Sequence, residues 1–235
     1  MIKFFAILVL DLFDYFHKIK IIRFLKKLGV FKINLFFDVG AHKGESIQFF
    51  SKNLDIDKIY SFEASPENFL YLKNKYQNKK NLVLENIALS STISKKIFNQ
   101  CNESSSSTFS DINYNSKYLK RKMRLLNSSK KNKFFNKLEI ATTTLSSYMR
   151  YNKILNIDLI KIDTEGHEYD VLMGLDRNIA NVKTVIFEHH YDNMIKKNYT
   201  FSDIHLFFKK NFFKQAFKIK MPFRKSFEYI YINEK

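Results

Sequence analysis

The 235-residue chain (28.1 kDa) is 45% hydrophobic with 25 Phe and 13 Tyr, enough to bury the core of one α/β domain. Its single cysteine, Cys101, excludes an intrachain disulfide framework and lies in a polar stretch with no base beside it, so it is not read as a nucleophile. A net charge of +17, from 40 Lys+Arg against 23 Asp+Glu, favours anionic partners, although a lysine-rich composition of AT-biased origin gives the same excess.

Residues 1–28 mix apolar and basic character and predict one or two amphipathic helices, an extension (1–32) ahead of a single domain (33–235). The apolar run Phe4 to Leu10 is far short of the ~20 residues that a span requires. Asp11 and Asp14 follow it with no small-residue cleavage site, which argues against a signal peptide. Packing on the domain or in a dimer contact is the preferred use. Peripheral attachment through Lys18, Lys20, Arg23, Lys26 and Lys27 near anionic head groups is the alternative.

The next segment carries the first candidate site. Ile33 and Leu35 to Phe37 run as a strand into Asp38, and Gly40 and Gly44 bracket a turn before a helix opening at Ser46 to Phe50. Strand, glycine turn and helix bring backbone N–H groups and a helix N-terminus towards a ligand, and they equally fit a turn that needs glycine for geometry alone. Asp38, Gly40, Ala41, His42 and Gly44 are the candidates here. About twenty residues on, a second strand ends at Glu63, placed to accept two hydrogen bonds from ribose hydroxyls. Ser65, Pro66 and Glu67 also spell a helix start, so capping is the rival use of Glu63. The two sites in this order indicate an adenosine-containing cofactor.

A third strand is expected over Leu82 to Ile87, with Asn86 to Ala88 either lining an adenine pocket or forming a plain strand exit. Alternating strands and helices predict a parallel sheet covered on both faces. Residues 99–137 break this rhythm: a four-serine run precedes a stretch, Lys117 to Lys137, that carries nine Lys/Arg and no acid. It reads as a solvated connection or as a lid over the site.

A strand over Glu139 to Thr144 and a helix over Leu145 to Asn152 lead to an apolar strand, Leu155 to Ile162. That strand ends in Asp163, Thr164, Glu165, Gly166, His167 and Glu168. Carboxylates and an imidazole at a strand's carboxyl end can orient a substrate hydroxyl and take its proton, or they can cap the next helix. Asp163 and Glu165 are read as functional and Glu168 as a cap. The following strand, Val182 to Phe187, closes on Glu188, His189 and His190, of which at most one histidine faces the cleft. No metal-ligand spacing is convincing, and no metal is assigned. A helix capped by Ser202 and two strands, Phe213 to Lys220 and Phe227 to Ile232, complete the chain.

FDVGAHKGES, FEASPENF, ENIALSS, TTTLSSYM and LIKIDTEGHEYDVLMGL, in that order, resemble the FkbM family of S-adenosylmethionine-dependent methyltransferases over roughly residues 33–191. His42 stands where the family often has Asn, and Ala64 where it often has Pro. The resemblance implies a Rossmann-like class I fold with a terminal antiparallel strand pair, and S-adenosyl-L-methionine as cofactor. It further implies O-methylation of a hydroxyl on a glycan or other cell-envelope metabolite, with Asp163, Glu165 and His167 as candidates for the base. A bacterial, cytoplasmic enzyme, peripheral at most to the inner membrane face, is the accompanying expectation. Nucleic acid as acceptor is the rival, favoured by the basic stretch but lacking any aromatic-basic motif of an RNA-binding module. A silent cofactor-binding partner subunit is the third reading.

Overall fold

The computed structural model describes residues 2–102, 106–125 and 134–235. One helix, α1 (Ile2–Lys27), precedes β1 (Lys32–Val39), α2 (Glu45–Asn53), β2 (Asp55–Phe62), α3 (Pro66–Lys75) and β3 (Leu82–Glu85). Then come β4 (Ala88–Leu89), β5 (Ser94–Cys101), β6 (Asp111–Ile112), α4 (Lys117–Leu125), β7 (Phe135–Thr143) and α5 (Leu145–Tyr151). The last third holds β8 (Ile157–Ile162), α6 (Glu168–Met173), β9 (Val182–His190), β10 (Ile195–Lys196), α7 (Phe201–Lys210), β11 (Phe213–Lys220) and β12 (Ser226–Asn233).

Among the described residues the main sheet has seven strands in the order β11-β12-β9-β8-β1-β2-β3, with β3, β2, β1, β8 and β9 parallel and β12 and β11 antiparallel. Successive strand residues face opposite sides, so adjacent Phe36 and Phe37 serve two separate cores. Phe37 joins Phe62, Ile160 and Phe187 under α5, α6 and α7. Phe36 joins Ile59, Leu159 and Ile186 under α1, α2 and α3. The fold is therefore the Rossmann-like architecture expected, with its strand order reversing at β1, and the crevice beyond the carboxyl ends of β1 and β8 is where such sheets bind ligands. Val39 pairs with both Phe62 and Ile162, and Ile162 with Phe187, which brings the strand tips level.

Several boundaries differ from expectation. Residues 2–27 form one helix. From His17 onward, His17, Ile21, Ile22 and Leu25 are buried on one face against the sheet, and His17 Nε2 meets Glu228 Oε2 at 2.5 Å. The stretch 99–137 is no plain connection in its described part. Here β5 pairs antiparallel with β7 from Ser94–Thr142 to Cys101–Phe135, and Ile112, Leu119, Met123, Phe134 and Met194 make a small core with Cys101. Ser104 and Ser105 of the serine run and residues 126–133 of the basic stretch lie outside the described residues. The third strand stops at Glu85. Thr200, not Ser202, caps α7, because Thr200 and Asp203 form a reciprocal capping box two residues earlier.

Candidate active site

The turn after β1 is built by backbone contacts that tolerate only glycine at its first step. Gly40 has φ +85°, and a Cβ there would lie 2.0 Å from the Asp163 carbonyl oxygen, so β1 and β8 can meet at their tips only over a bare Cα. Asp163 N donates to Val39 O (2.9 Å), while Gly40 N and Ala41 N both donate to Phe62 O (2.9 and 3.1 Å). The second glycine has a packing role. Gly44 starts α2 at φ +82°, a Cβ there would sit 2.5 Å from the Tyr76 ring, and Tyr76 OH donates to Gly44 O (2.8 Å).

Glu63 is the hinge of the cofactor side. Its Oε2 accepts from His42 N (2.7 Å) and its Oε1 from Ser65 N (2.8 Å), so one carboxylate ties the first turn to the start of α3. Burial pushes its pKa up to about 7, against the two N–H donors that favour the charged form. The Asn68 side chain also hydrogen-bonds this carboxylate, which lines the cavity. Ser65 itself caps α3 by accepting from Asn68 N, so cap and ribose-type acceptor are separate residues.

A cavity of about 660 Å³ runs along the strand tips, within the size range of ligand pockets. Its walls include Gly40, Ala41, His42, Glu63, Ala88, Asp163, Glu165 and His167, which the sequence singled out. Three other candidates lie off it. Asp38 is fully buried behind the turn, with neither carboxyl oxygen hydrogen-bonded among the described residues. Burial raises its pKa to about 7 against the pull of Lys161. Gly44 is covered by Tyr76, and Asn86 turns its amide to Glu63 O (2.8 Å), bracing the backbone rather than lining the cavity. Phe62, Ala64, Ile87, Ala88 and Phe98 leave an apolar slot beside Glu63, which fits an adenine attached to a ribose.

At the far side, the acidic cluster separates into distinct roles. Lys161 Nζ reaches Asp163 Oδ2 at 2.7 Å. Burial alone would raise the Asp163 pKa, but that ammonium holds it at about 2. Glu165 has φ +50°, an uncommon conformation for a non-glycine residue, and the loop is clamped by Thr108 Oγ1 to Glu165 O (2.6 Å) and Ser110 Oγ to Gly166 O (3.0 Å). Glu168 braces the same loop instead of only capping α6: its Oε1 accepts from Gly166 N (2.8 Å) and Thr164 N (3.3 Å), and its Oε2 from Tyr199 OH. The ring nitrogens of His167 face Ser90 Oγ (3.0 Å) and Asp170 Oδ2 (3.5 Å), and burial lowers its pKa.

Behind Glu165 stands His190, its Nε2 3.5 Å from Glu165 Oε2 and 3.4 Å from Glu188 Oε1, and its Nδ1 3.6 Å from Asp192. Burial would neutralise that ring, yet Glu165 and its other carboxylate neighbours raise its pKa to about 10. Burial raises both Glu165 and Glu188 above the ordinary glutamate range, Glu188 to about 7. His189 points to the other side of β9, against Tyr199 and Phe201, so one histidine of the pair serves the site. No group of His, Cys, Asp and Glu suited to hold a metal ion occurs among the described residues.

Sequence reasoning missed Lys161, Arg224, Glu228 and the α1 residues Asp14, Tyr15 and Lys18, all of which line the cavity. Lys161 had a signal, since a lone lysine inside an apolar central strand requires a buried counter-charge. The cavity wall carries more carboxylates than Lys and Arg in a chain of net charge +17, a local inversion that favours a cationic ligand.

Comparison with known proteins agrees with this geometry. Residues 38–215 match the family profile described as the methyltransferase FkbM domain. Among solved structures, magnesium protoporphyrin IX methyltransferase of Synechocystis, crystallised with S-adenosylmethionine, is similar in fold: TM-score 0.52, 10% identity, 95% of this chain and 81% of that one. TrmK of M. capricolum, in complex with S-adenosyl-homocysteine, matches at TM-score 0.49 and 9% identity over 86% of this chain and 63% of that one. Methyltransferase FkbM from Methylobacillus flagellatus matches at 0.47 and 12% over 84% and 43%. The chain thus spans less than two thirds of the last two. No curated protein matches the sequence significantly. With three quarters of its length inside the family profile, the chain belongs to the FkbM methyltransferase domain family, whose cofactor is S-adenosylmethionine.

Proposed function

We propose that the protein transfers a methyl group from S-adenosylmethionine to a hydroxyl oxygen of a glycan or other cell-envelope metabolite, and does so in the cytoplasm. The observation that carries the reading is the row of carboxylates at the tips of β8 and β9, Asp163, Glu165 and Glu188, which lines the same cavity as Glu63. Such a row accepts hydrogen bonds from several hydroxyls at once, as a sugar presents them. The residues fit the cofactor on two counts: Glu63 beside an apolar slot suits the adenosine, and the acidic wall suits the positive charge. Bound there, it supplies an electrophilic methyl group. With the cofactor bound, Glu63 would hold the ribose, Asp163, fixed by Lys161, would orient the acceptor, and Glu165 would take the hydroxyl proton as the C–O bond forms and the methyl–sulfur bond breaks, leaving S-adenosyl-homocysteine.

Glu165 is preferred to the other two candidates on chemistry. A base works best with its pKa near the working pH, and Asp163 is held far below that by Lys161. His167 has both ring nitrogens facing protein partners. Incubation with methyl-labelled cofactor and separated saccharide, RNA and protein fractions tests the reading. Label is expected in the saccharide fraction, and label confined to RNA overturns it. The RNA alternative draws on α4, whose Lys117, Lys120, Arg121 and Arg124 are exposed, but none of these lines the cavity.

Cofactor binding has its own check. Glu63→Gln keeps the size of the side chain and removes its charge, and affinity for S-adenosyl-homocysteine should fall by about 1.5–3 kcal/mol, the range for hydrogen bonds to a charged group. Isothermal calorimetry that finds unchanged affinity would remove Glu63 from the site.

A further inference from the structure

The exposed side of α1 has an order that burial does not explain. Phe13, Phe16, Lys20, Arg23 and Lys27 recur at helical spacing on one face, opposite the buried His17, Ile21 and Leu25, and all five are exposed. The face is aromatic towards the N-terminus and basic towards the C-terminus. The turn between β11 and β12 adds to the aromatic end: Phe223, 70% exposed, sets its ring 5.1 Å from that of Phe13, itself 45% exposed. Exposed Lys220 and Lys225 flank Phe223 in the chain. The sequence just before Phe13 contains the uninterrupted apolar run Phe4 to Leu10. No helix among the described residues is long and apolar enough to cross a membrane.

The same two segments also wall the cavity. Asp14, Tyr15 and Lys18 of α1, and Met221 and Arg224 of the β11–β12 turn, line it, and Arg224 pairs with Asp14 at 3.3 Å. Exposed Tyr15, Gln48 and Lys52 on its rim show that the cavity reaches the surface beside the aromatic patch.

We propose that this surface, Phe13 and Phe16 of α1 with Phe223, docks on an anionic phospholipid bilayer and turns the cavity mouth towards an acceptor carried in the membrane. Aromatic side chains favour the head-group boundary, and lysines and arginines behind them reach anionic phosphates. A net charge of +17 gives the attraction the required sign. The substrate class that follows is a lipid-anchored saccharide, whose head enters over the exposed rim formed by Tyr15 of α1 and Gln48 and Lys52 of α2. This second half rests on the methyltransferase reading; the docking half does not.

The test is co-sedimentation of the full chain with vesicles of phosphatidylcholine alone and of phosphatidylcholine mixed with phosphatidylglycerol. The wild type should pellet with the mixed vesicles, at least about tenfold more weakly with the neutral ones, and less as salt rises. The triple variant Phe13→Ser, Phe16→Ser, Phe223→Ser should lose the interaction by a similar factor while keeping its melting temperature and its affinity for S-adenosyl-homocysteine, because none of the three lines the cavity. Absence of vesicle binding at low salt, or binding undiminished in the triple variant, overturns the proposal. So does a concentration-dependent dimer of the wild type that the triple substitution dissolves without any vesicle binding, which would give the patch to a second copy. Retained cofactor binding in any of these outcomes leaves the methyltransferase reading standing.

Discussion

Replacing Glu165 by Gln should lower the rate of methyl transfer by a factor of about 10² to 10⁴, the usual contribution of a positioned general base, while affinity for S-adenosyl-homocysteine stays within about threefold. The substitution preserves shape and leaves the Thr108 bond intact, since that bond ends on the Glu165 carbonyl. A pH profile supplies the second readout. The base works only when deprotonated, and burial lifts the Glu165 pKa above the ordinary glutamate value. Wild-type kcat/KM should therefore fall as the pH drops through that raised value, and the limb should be absent from the residual activity of Glu165→Gln. A variant with near-normal transfer and a lower melting temperature would reduce Glu165 to a part of the loop.

Asp163→Asn is expected to behave differently, although the two residues lie one apart from Thr164 in the same cluster. Lys161 is 5% exposed and its ammonium is 2.7 Å from Asp163 Oδ2, so the amide leaves a buried charge with its nearest partner gone. Breaking such a pair costs about 3–5 kcal/mol. The lower end applies here, because the Asp163 side chain keeps 31% of its surface in contact with solvent and Glu228 and Asp38 also attract Lys161. The sign of the pH dependence follows from the depressed pKa. The stabilisation is complete above the ordinary aspartate value of 3.8 and disappears as the pH falls through about 2. Chemical denaturation of Asp163→Asn, Lys161→Met and the double variant checks this. The double variant should recover most of the loss, since it removes both charges together. Losses that simply add would show that the pair is not coupled.

The parts of the site legible in the sequence are those made by local backbone geometry. Gly40 announced the turn after β1, Glu63 the end of β2, and the acidic run after Ile162 the end of β8, because each sits at a strand tip that apolar periodicity delimits. The strand pair of β11 and β12 was legible for the same reason. What stayed hidden depends on distant segments meeting. Residues 14–18 and 221–228 wall one cavity through Asp14–Arg224 and His17–Glu228, contacts more than two hundred residues apart that no spacing encodes. The small sheet of β5 and β7 was hidden in another way. Its strands carry Lys95 and Lys137 on exposed positions, and its core of Cys101, Leu119, Met123 and Phe134 assembles from pieces too short to show a period. Asp38 looked like a ligand residue because it precedes the glycine turn, but strand alternation sends it inward, towards Lys161.

The destination of the methyl group decides between an oxygen, a carboxylate and a nitrogen acceptor. Methyl-labelled S-adenosylmethionine, incubated with the protein and a saccharide fraction containing lipid-linked material, should place label on a sugar hydroxyl as a methyl ether, which survives hot alkali and is recovered on a partially methylated sugar after acid hydrolysis. Label released by alkali as methanol would mean an ester on a carboxylate, and label held on a base or an amine would mean nitrogen as acceptor. Either result would contradict the assignment of Glu165 as the base for a hydroxyl.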